Sequence, residues 1–398
     1  MTGVATRDDL LASAYGLQGC LREFADYGDT HRRTADQVIE GLTAAGMFRL
    51  LTPRRYGGHQ ADLGTLVEVT DVLGEADASA AWLVCIAAMG AWTVAHAQTP
   101  AQDEVFGVDP DALVAGGITD SGAGVLVEGG AVVTGRWRLV SGALHARWAV
   151  VMSQIRVRDE RAVETAFCVM PITDVRIEDT WHVTGLRGTG SNTIVATDVF
   201  VPEHRLIHLT SFSRGSSSAP GALYRLPMQP VGALILMGPL LGAGRAALDH
   251  VLEAAARAGL PHTGDRGQRG SAAAQFQLTD AALKLQNARS LVYLVVDRLT
   301  QQVAARHIFL PRDRALARAE VASASQLVVA AVNELLATHG SGSLADAGAL
   351  DRVFRDISVG AQHDSLDPGV ASGALGKALF GDAEQTTSTA APRARMLP

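Results

Sequence analysis

Apolar residues recur at helical spacing through most of the first hundred positions. The stretch "DQVIEGLTAAGMFRLL" (36–51) sets its aliphatic residues on one face of a 3.6-residue period. "LGTLVEVTDVLGEADASAAWLVCIAAMGAWTVAHA" (63–97) supplies two further segments; the second is apolar all round, which predicts a helix buried on every side. Pro100 closes this block. Between about 110 and 205 the pattern changes to short runs rich in Val, Ile and Thr, punctuated by Gly and Asp: "ALVAGGI", "AVVTGRWRLV", "WAVVMSQI", "TAFCVMPI" and "TIVATDVFV". No helix-length segment separates these runs, so βαβ units are absent and an antiparallel β domain, a small barrel or sandwich, is predicted. Residues 207–223 form a Ser/Gly-rich connection, a linker or a possible lid over a pocket. Beyond it, three long Ala-rich periodic segments (235–259, 272–305 and 312–340) predict a helical bundle whose smooth faces suit packing against other subunits. The last residues, "EQTTSTAAPRARMLP", read as a frayed tail. The predicted organisation is thus a helical domain (1–108), a β-barrel domain (109–206), a linker (207–223) and a helical bundle (224–398). The fold class is α+β.

The bulk composition excludes several functions. The chain has 398 residues, 47% of them hydrophobic and 19% charged, with a net charge of −7, enough for a large core across two or three domains. No Lys/Arg cluster is dense enough for a nucleic-acid footprint. The N-terminus shows no basic segment followed by an apolar run, and no stretch of about 18 apolar residues lacks a charge or a breaker, so neither a signal peptide nor a membrane span is expected. The three scattered cysteines, Cys20, Cys85 and Cys168, read as reduced core thiols of a cytoplasmic protein. His262, His339 and the other histidines show no metal-ligand spacing, so no metal is expected.

The densest chemical signal is "TWHVTGLRGTGSNT" (180–193), with Gly185, Gly188 and Gly190 within six residues. Glycine at that density makes turns, or lets backbone come very close to another group. The loop is no dinucleotide fingerprint, because the G-x-G-x-x-G order is missing and no helix follows. A second glycine-rich stretch, "GPLLGAGRAAL" (238–248), lies inside a helical pattern and points to close helix packing.

The domain order and several local phrases resemble the acyl-CoA dehydrogenase superfamily. They are "LTPRRYGGHQADL" (51–63), "GRWRLVSGALHARWAVV" (135–151), "WHVTGLRGTGSNTIVATDVFVPEHR" (181–205) and "LDRVFRDISVGAQHDSLDP" (350–368), and the likeness spans about residues 20 to 380. The resemblance implies a helical domain, a central β-barrel and a four-helix bundle. Dehydrogenases of this family use a glutamate as α-proton base. Here no Glu lies between Glu203 and Glu253 or between Asp356 and Lys377; His363 stands in the latter segment. "QHDSLDP" and "SGALH" are similar to the superfamily's two-component flavin monooxygenases. That branch implies reduced FAD or FMN, held exchangeably and supplied by a separate flavin reductase, with O2 forming a C4a-hydroperoxide that hydroxylates a small aromatic or indole-type substrate. It also implies a homotetramer. An N-hydroxylating oxygenase and an acyl-CoA dehydrogenase with tightly bound FAD are the alternatives.

Candidate residues follow. Ser141 ends a strand whose alternation (Val133, Gly135, Trp137, Leu139) sets one face inward, and Gly142 opens the next turn; in similar hydroxylases this serine meets the flavin near N5. Trp137, Arg187, Thr189 and Ser191 are further flavin-contact candidates, the hydroxyls because they flank the glycines. Arg266 lies where dehydrogenases reach a neighbour's flavin phosphates. His363 is the candidate general base, since a neutral imidazole takes a proton near physiological pH. His96, with Trp92 one turn before it, and His145 are candidates for the substrate pocket, His96 also for catalysis. Each of these residue types is equally at home as a cap, a turn residue or packing.

Overall fold

In the computed structural model, residues 5–156, 163–209, 221–258, 272–339 and 348–386 are described. Most of the 207–223 linker, the segment holding Arg266 and Arg269, and the residues after 386 lie outside them.

The first helical domain comprises α1 (Arg7–His31), α2 (Asp36–Ala44), α3 (Leu63–Ala76), α4 (Ala78–Val94) and α5 (Thr99–Phe106). Side chains fix the starts of α1, α3 and α4: Thr6 and Asp9 form a reciprocal capping box on α1, and Asp62 takes the Thr65 N–H on α3 at 2.9 Å. Asp77 caps α4 by accepting from Ser79 N at 2.8 Å and Ala80 N at 3.2 Å. Buried residues occupy every face of α4, as its unbroken apolar pattern predicts.

Among the described residues, seven strands follow: β1 (Val114–Val127), β2 (Gly130–Val140), β3 (Trp148–Arg156), β4 (Val163–Pro171), β5 (Arg176–Glu178), β6 (Asn192–Pro202) and β7 (Leu206–His208). They form one sheet in the order β5-β6-β2-β1-β3-β4-β7. The expected all-antiparallel arrangement is corrected at one pairing. After the β1–β2 hairpin the chain crosses over, and β3 pairs with the far edge of β1 in parallel, Val114 opposite Trp148. The sheet is therefore mixed.

The second helical domain contains α6 (Met228–Leu234), α7 (Met237–Ala258), α8 (Ala272–Ala304), α9 (Pro311–His339), α10 (Ala349–Gly360) and α11 (Pro368–Thr386). The glycines of "GPLLGAGRAAL" do mark close helix packing. A Cβ on Gly242 would stand 2.0 Å from Asp71 O and one on Gly238 would stand 2.0 Å from Thr70 Oγ1, so α7 lies backbone-close against α3. Asp71 of α3 pairs with Arg245 of α7 and Arg289 of α8, joining the two helical domains. Two helical stretches, Met228–Ala256 and Pro311–His339, are long and apolar enough to cross a membrane despite their breakers and charges. Their apolar windows are 78% and 56% buried within the fold, so packing accounts for that character.

Candidate active site

The glycine loop, residues 180–193, is where all three parts of the chain meet. Its glycines approach protein, not open space. A Cβ on Gly185 would stand 1.9 Å from Arg355 O and 2.6 Å from Asp356 N, both backbone atoms of α10. At Gly188 it would meet Ser79 Cβ of α4 at 3.0 Å, and Gly190 turns the chain at φ +53°. Leu186 sits in the left-handed region at φ 49° and is held at both ends. Its N–H donates to Asp356 Oδ1 at 2.5 Å, and its carbonyl accepts from Trp181 Nε1 at 3.0 Å and from Thr189 Oγ1 at 2.7 Å.

Burial, and the nearby carboxylates of Asp77 and Asp29, push the Asp356 carboxyl up to about 7, against the pull of the Leu186 N–H and Arg352. The folded pKa is raised, so this group's contribution is fully favourable below the unfolded carboxylate range and is lost as pH rises through about 7. Asp356→Asn keeps an oxygen for the Leu186 N–H but cannot ionise. Its stability relative to wild type is expected to climb between pH 5 and pH 8, by on the order of 2 kcal/mol, with a higher relative unfolding temperature at pH 8. Calorimetry at both pH values checks this; a difference independent of pH would show that Asp356 does not titrate there.

From the sheet side, β2 breaks its own alternation. Trp137 is fully buried, with its Nε1 donating to Met152 O at 2.8 Å. Between Trp137 and Val140 the register with β6 slips by one residue, and Leu139 takes φ 61°. That bulge turns Leu139 outward, 55% exposed, while Val140 points in. Alternation alone assigned Leu139 to the inner face, so this is a correction. Ser141 follows the bulge, and its hydroxyl lies 2.7 Å from that of Ser191, which lies 2.7 Å from that of Thr189. The next residue, Gly142, has φ +78° and donates its N–H to Thr189 O at 3.0 Å, pinning the strand end to the glycine loop.

These elements wall a cavity of about 480 Å³ between the sheet, α4, α6 and the turn after α10. Ser141 lines it from the sheet side and His363 from the helical side, with Met89, Met152, Phe167 and Ile235 among its apolar wall. A second cleft of about 290 Å³, lined by Arg136, Arg138, Thr180, Trp181 and Ser191 among others, shares Arg138 and Leu139 with the first. Such a pair, one mostly apolar and one carrying two guanidinium groups, fits a flat heteroaromatic ring with a phosphate-bearing tail.

His363 opens the short turn Asp364–Leu366, where its Nδ1 accepts from Ser365 N at 3.1 Å. A nitrogen that accepts cannot carry the proton, so the neutral ring bears its hydrogen on Nε2. Burial lowers the His363 pKa, with Arg318 adding to the effect and Asp364 opposing it, so the neutral form dominates near pH 7.

The remaining expected site residues lie elsewhere. Neither Trp92 nor His96 lines the cavity; Thr93 and Met89 of the same helix do. Trp92 is fully buried and donates to Leu223 O at 3.2 Å, while the His96 nitrogens face Trp92 O at 2.8 Å and Tyr224 O at 2.9 Å. Both residues thus tie α4 to the segment preceding α6. His145 packs beside Arg33 and Asp36, and burial together with Arg33 depresses its pKa to about 4. Arg187 donates to Asp29 O at 2.5 Å and Val183 O at 2.8 Å, clamping the glycine loop to α1. Trp137 belongs to the interior of the sheet, and Arg266 lies outside the described residues. Sequence reasoning passed over much of the lining of the two clefts, Arg136, Arg138, Leu139, Met89, Met152 and Phe167 among it. Arg138 and Leu139 stand beside Ser141 in the same strand, yet only the bulge brings Leu139 to the cavity.

A helical domain, a mixed sheet and a second helical domain around one junctional cavity define an acyl-CoA dehydrogenase-like fold. Residues 18–106 match the model of the acyl-CoA dehydrogenase N-terminal domain, and residues 234–368 that of the acyl-CoA dehydrogenase C-terminal domain. The flavin-dependent monooxygenase, oxygenase subunit HsaA, of Rhodococcus jostii (strain RHA1) is 32% identical over 370 residues, covering 91% of this chain and 95% of that protein. The FADH(2)-dependent resorcinol hydroxylase, oxygenase component, of Rhizobium sp. (strain MTP-10005) is 27% identical and covers 94% of each chain. The structure of XiaF from Streptomyces sp. in complex with FADH2 and glycerol matches with a TM-score of 0.90 at 29% identity, over 94% of this chain and 96% of that one. The chain therefore belongs to the acyl-CoA dehydrogenase superfamily and, within it, to the family of flavin-dependent monooxygenase oxygenase subunits.

Proposed function

We propose that this chain is the oxygenase component of a two-component hydroxylase acting on a small aromatic or indole-type ring. The observation that carries this reading is the shared cavity: a hydroxyl, Ser141, and a neutral imidazole, His363, line one mostly apolar space from different domains. Reduced FAD or FMN, bound there with O2, would supply the oxygenating equivalent. Ser141 would accept from the N5 edge of the ring, Leu139 would pack on its face, and Arg138 with Arg136 would meet the phosphate of its tail. Phe167, Met152 and Met89 give an aromatic substrate an apolar wall and exclude water. His363 would then donate from Nε2 to an oxygen in the cavity. The base role that the resemblance implies needs the opposite tautomer, which the Ser365 N–H disfavours.

A dehydrogenase would need a carboxylate poised over a thioester. Among the described residues no Glu lines the cavity, and the one acid on its wall, Asp364, is exposed beside His363. The homotetramer is the assembly that the resemblance implies, and the apolar side chains that α8 and α11 leave exposed, Phe276 at 73% and Phe380 at 80%, support association through these helices.

The test is reconstitution. The purified chain given NADH, FAD and an aromatic substrate is expected to form no product, and adding a flavin reductase is expected to start turnover. NADH consumption by the chain alone would sink the two-component reading.

A further inference from the structure

The hydroxyls behind Ser141 are ordered in one direction. Thr189 donates its single proton to Leu186 O at 2.7 Å, because a carbonyl can only accept. The Thr189 oxygen, 2.7 Å from Ser191 Oγ, must then receive the Ser191 proton. Ser191, having given its proton away, must receive that of Ser141 at 2.7 Å. All three residues are buried, at 1%, 4% and 6% exposure for Thr189, Ser191 and Ser141, so water cannot readily reverse the chain. The carbonyl that terminates it is fixed in turn by Trp181 Nε1 and by the hold of Asp356 on the Leu186 N–H. Ser141 alone of the three lines the larger cavity, and it is left with lone pairs to present there.

A flavin changes its hydrogen-bonding character at one central atom. Reduced, N5 carries a hydrogen and donates; oxidised, N5 carries only a lone pair and accepts. We propose that Thr189 and Ser191 are positioning residues that lock Ser141 as an acceptor, so that the site reads the oxidation state of the flavin, welcoming the reduced ring and repelling the oxidised one. The inference rests on the flavin reading above and adds to it a reason for the Thr189 hydroxyl, which lines neither cleft, and for the Ser191 hydroxyl, whose residue edges only the second cleft. It also gives spent, oxidised flavin a reason to leave.

The experiment compares anaerobic calorimetric titrations of reduced and oxidised FAD and FMN into wild type, Ser191→Ala, Thr189→Val and Thr189→Ser, with unfolding temperatures measured in parallel. Wild type is expected to bind the reduced form more tightly. Ser191→Ala and Thr189→Val free the Ser141 hydroxyl to rotate and donate, so the ratio of oxidised to reduced Kd should fall about tenfold, the worth of one hydrogen bond. Thr189→Ser keeps the hydroxyl and should keep the ratio. A simple packing defect would weaken both oxidation states alike and leave the ratio unmoved. An unmoved ratio in folded Ser191→Ala and Thr189→Val overturns the relay while leaving the flavin site standing. Equal affinity of wild type for the two states overturns it even if both variants fail to fold. Failure of wild type to bind either state overturns the flavin reading itself, and the relay with it.

Discussion

Replacing Gly185 with alanine is expected to lower the unfolding temperature by about 4 °C or more and to disable flavin binding at the same time. The added Cβ would stand 1.9 Å from Arg355 O, 2.2 Å from Arg355 C and 2.6 Å from Asp356 N. These are backbone atoms inside α10, fixed by the hydrogen bonds of the helix, so no side-chain rotation relieves the clash. The glycine loop must move away from α10, and three attachments stretch together: the Leu186 N–H to Asp356, the Arg355 guanidinium to Thr184 O, and the Arg187 clamp on Asp29. Overpacking of this kind costs about 1–3 kcal/mol where neighbours can yield and more where they cannot. The loop also carries the Thr189 and Ser191 hydroxyls behind Ser141, so the site is disturbed with the fold. An internal comparison is available in α11, where a Cβ on Gly376 meets nothing within 4 Å. Gly376→Ala should leave the unfolding temperature equal or slightly raised, since alanine favours helix over glycine by up to about 1 kcal/mol. A Gly185→Ala chain that melts with wild type would mean that the loop and α10 are not in close contact.

The same loop shows where sequence reading reaches its limit. Three glycines within six residues announced a close approach, but not to what. The partner of Gly185 is Arg355, 170 positions further along the chain, and no local pattern encodes that pairing. The helical, β, helical order was legible because each period reports a face that must be buried, and the all-round apolar run of α4 gave its burial directly. Strand order was not legible. A run of short strands suggests hairpins, and nothing in "WAVVMSQI" says that β3 crosses to the far side of β1 and runs parallel to it. Ser141 and His363 were found on the cavity wall, whereas Trp92, Trp137, His96 and His145 were not. An aromatic ring or a neutral imidazole fills a core as readily as it lines a pocket, so residue type does not decide between them. Leu139 was set on the inner face and not at the site, because a bulge in β2 reverses the inward–outward parity there and a leucine at φ 61° leaves no mark in the sequence.

His363→Ala is expected to slow product formation by about 10²-fold or more, with the Kd for reduced flavin changing less than about threefold, because the imidazole faces the cavity from the wall opposite Ser141. The informative variant is His363→Gln. Its side-chain amide can place an N–H near the position of Nε2 but cannot take up a proton at neutral pH. If His363 works by donating, Gln should recover a substantial part of the rate; if it works as a base, Gln should be as slow as Ala. The pH profile separates the roles again. Protonating the ring puts a hydrogen on Nδ1, which then opposes the Ser365 N–H it formerly accepted, and burial and Arg318 already hold the pKa below 6.5. The rate in wild type should therefore stay level from pH 8 down past 6.5 and fall only at lower pH, as the turn at Asp364–Leu366 loses its anchor. Stability follows the same sign. The folded pKa lies below the unfolded one, so acidification below about 6.5 favours the unfolded chain until the folded group also protonates. A rate that declines between pH 8 and pH 6.5, together with a Gln variant no faster than Ala, would return His363 to the role of proton acceptor and would require the opposite tautomer in the working enzyme.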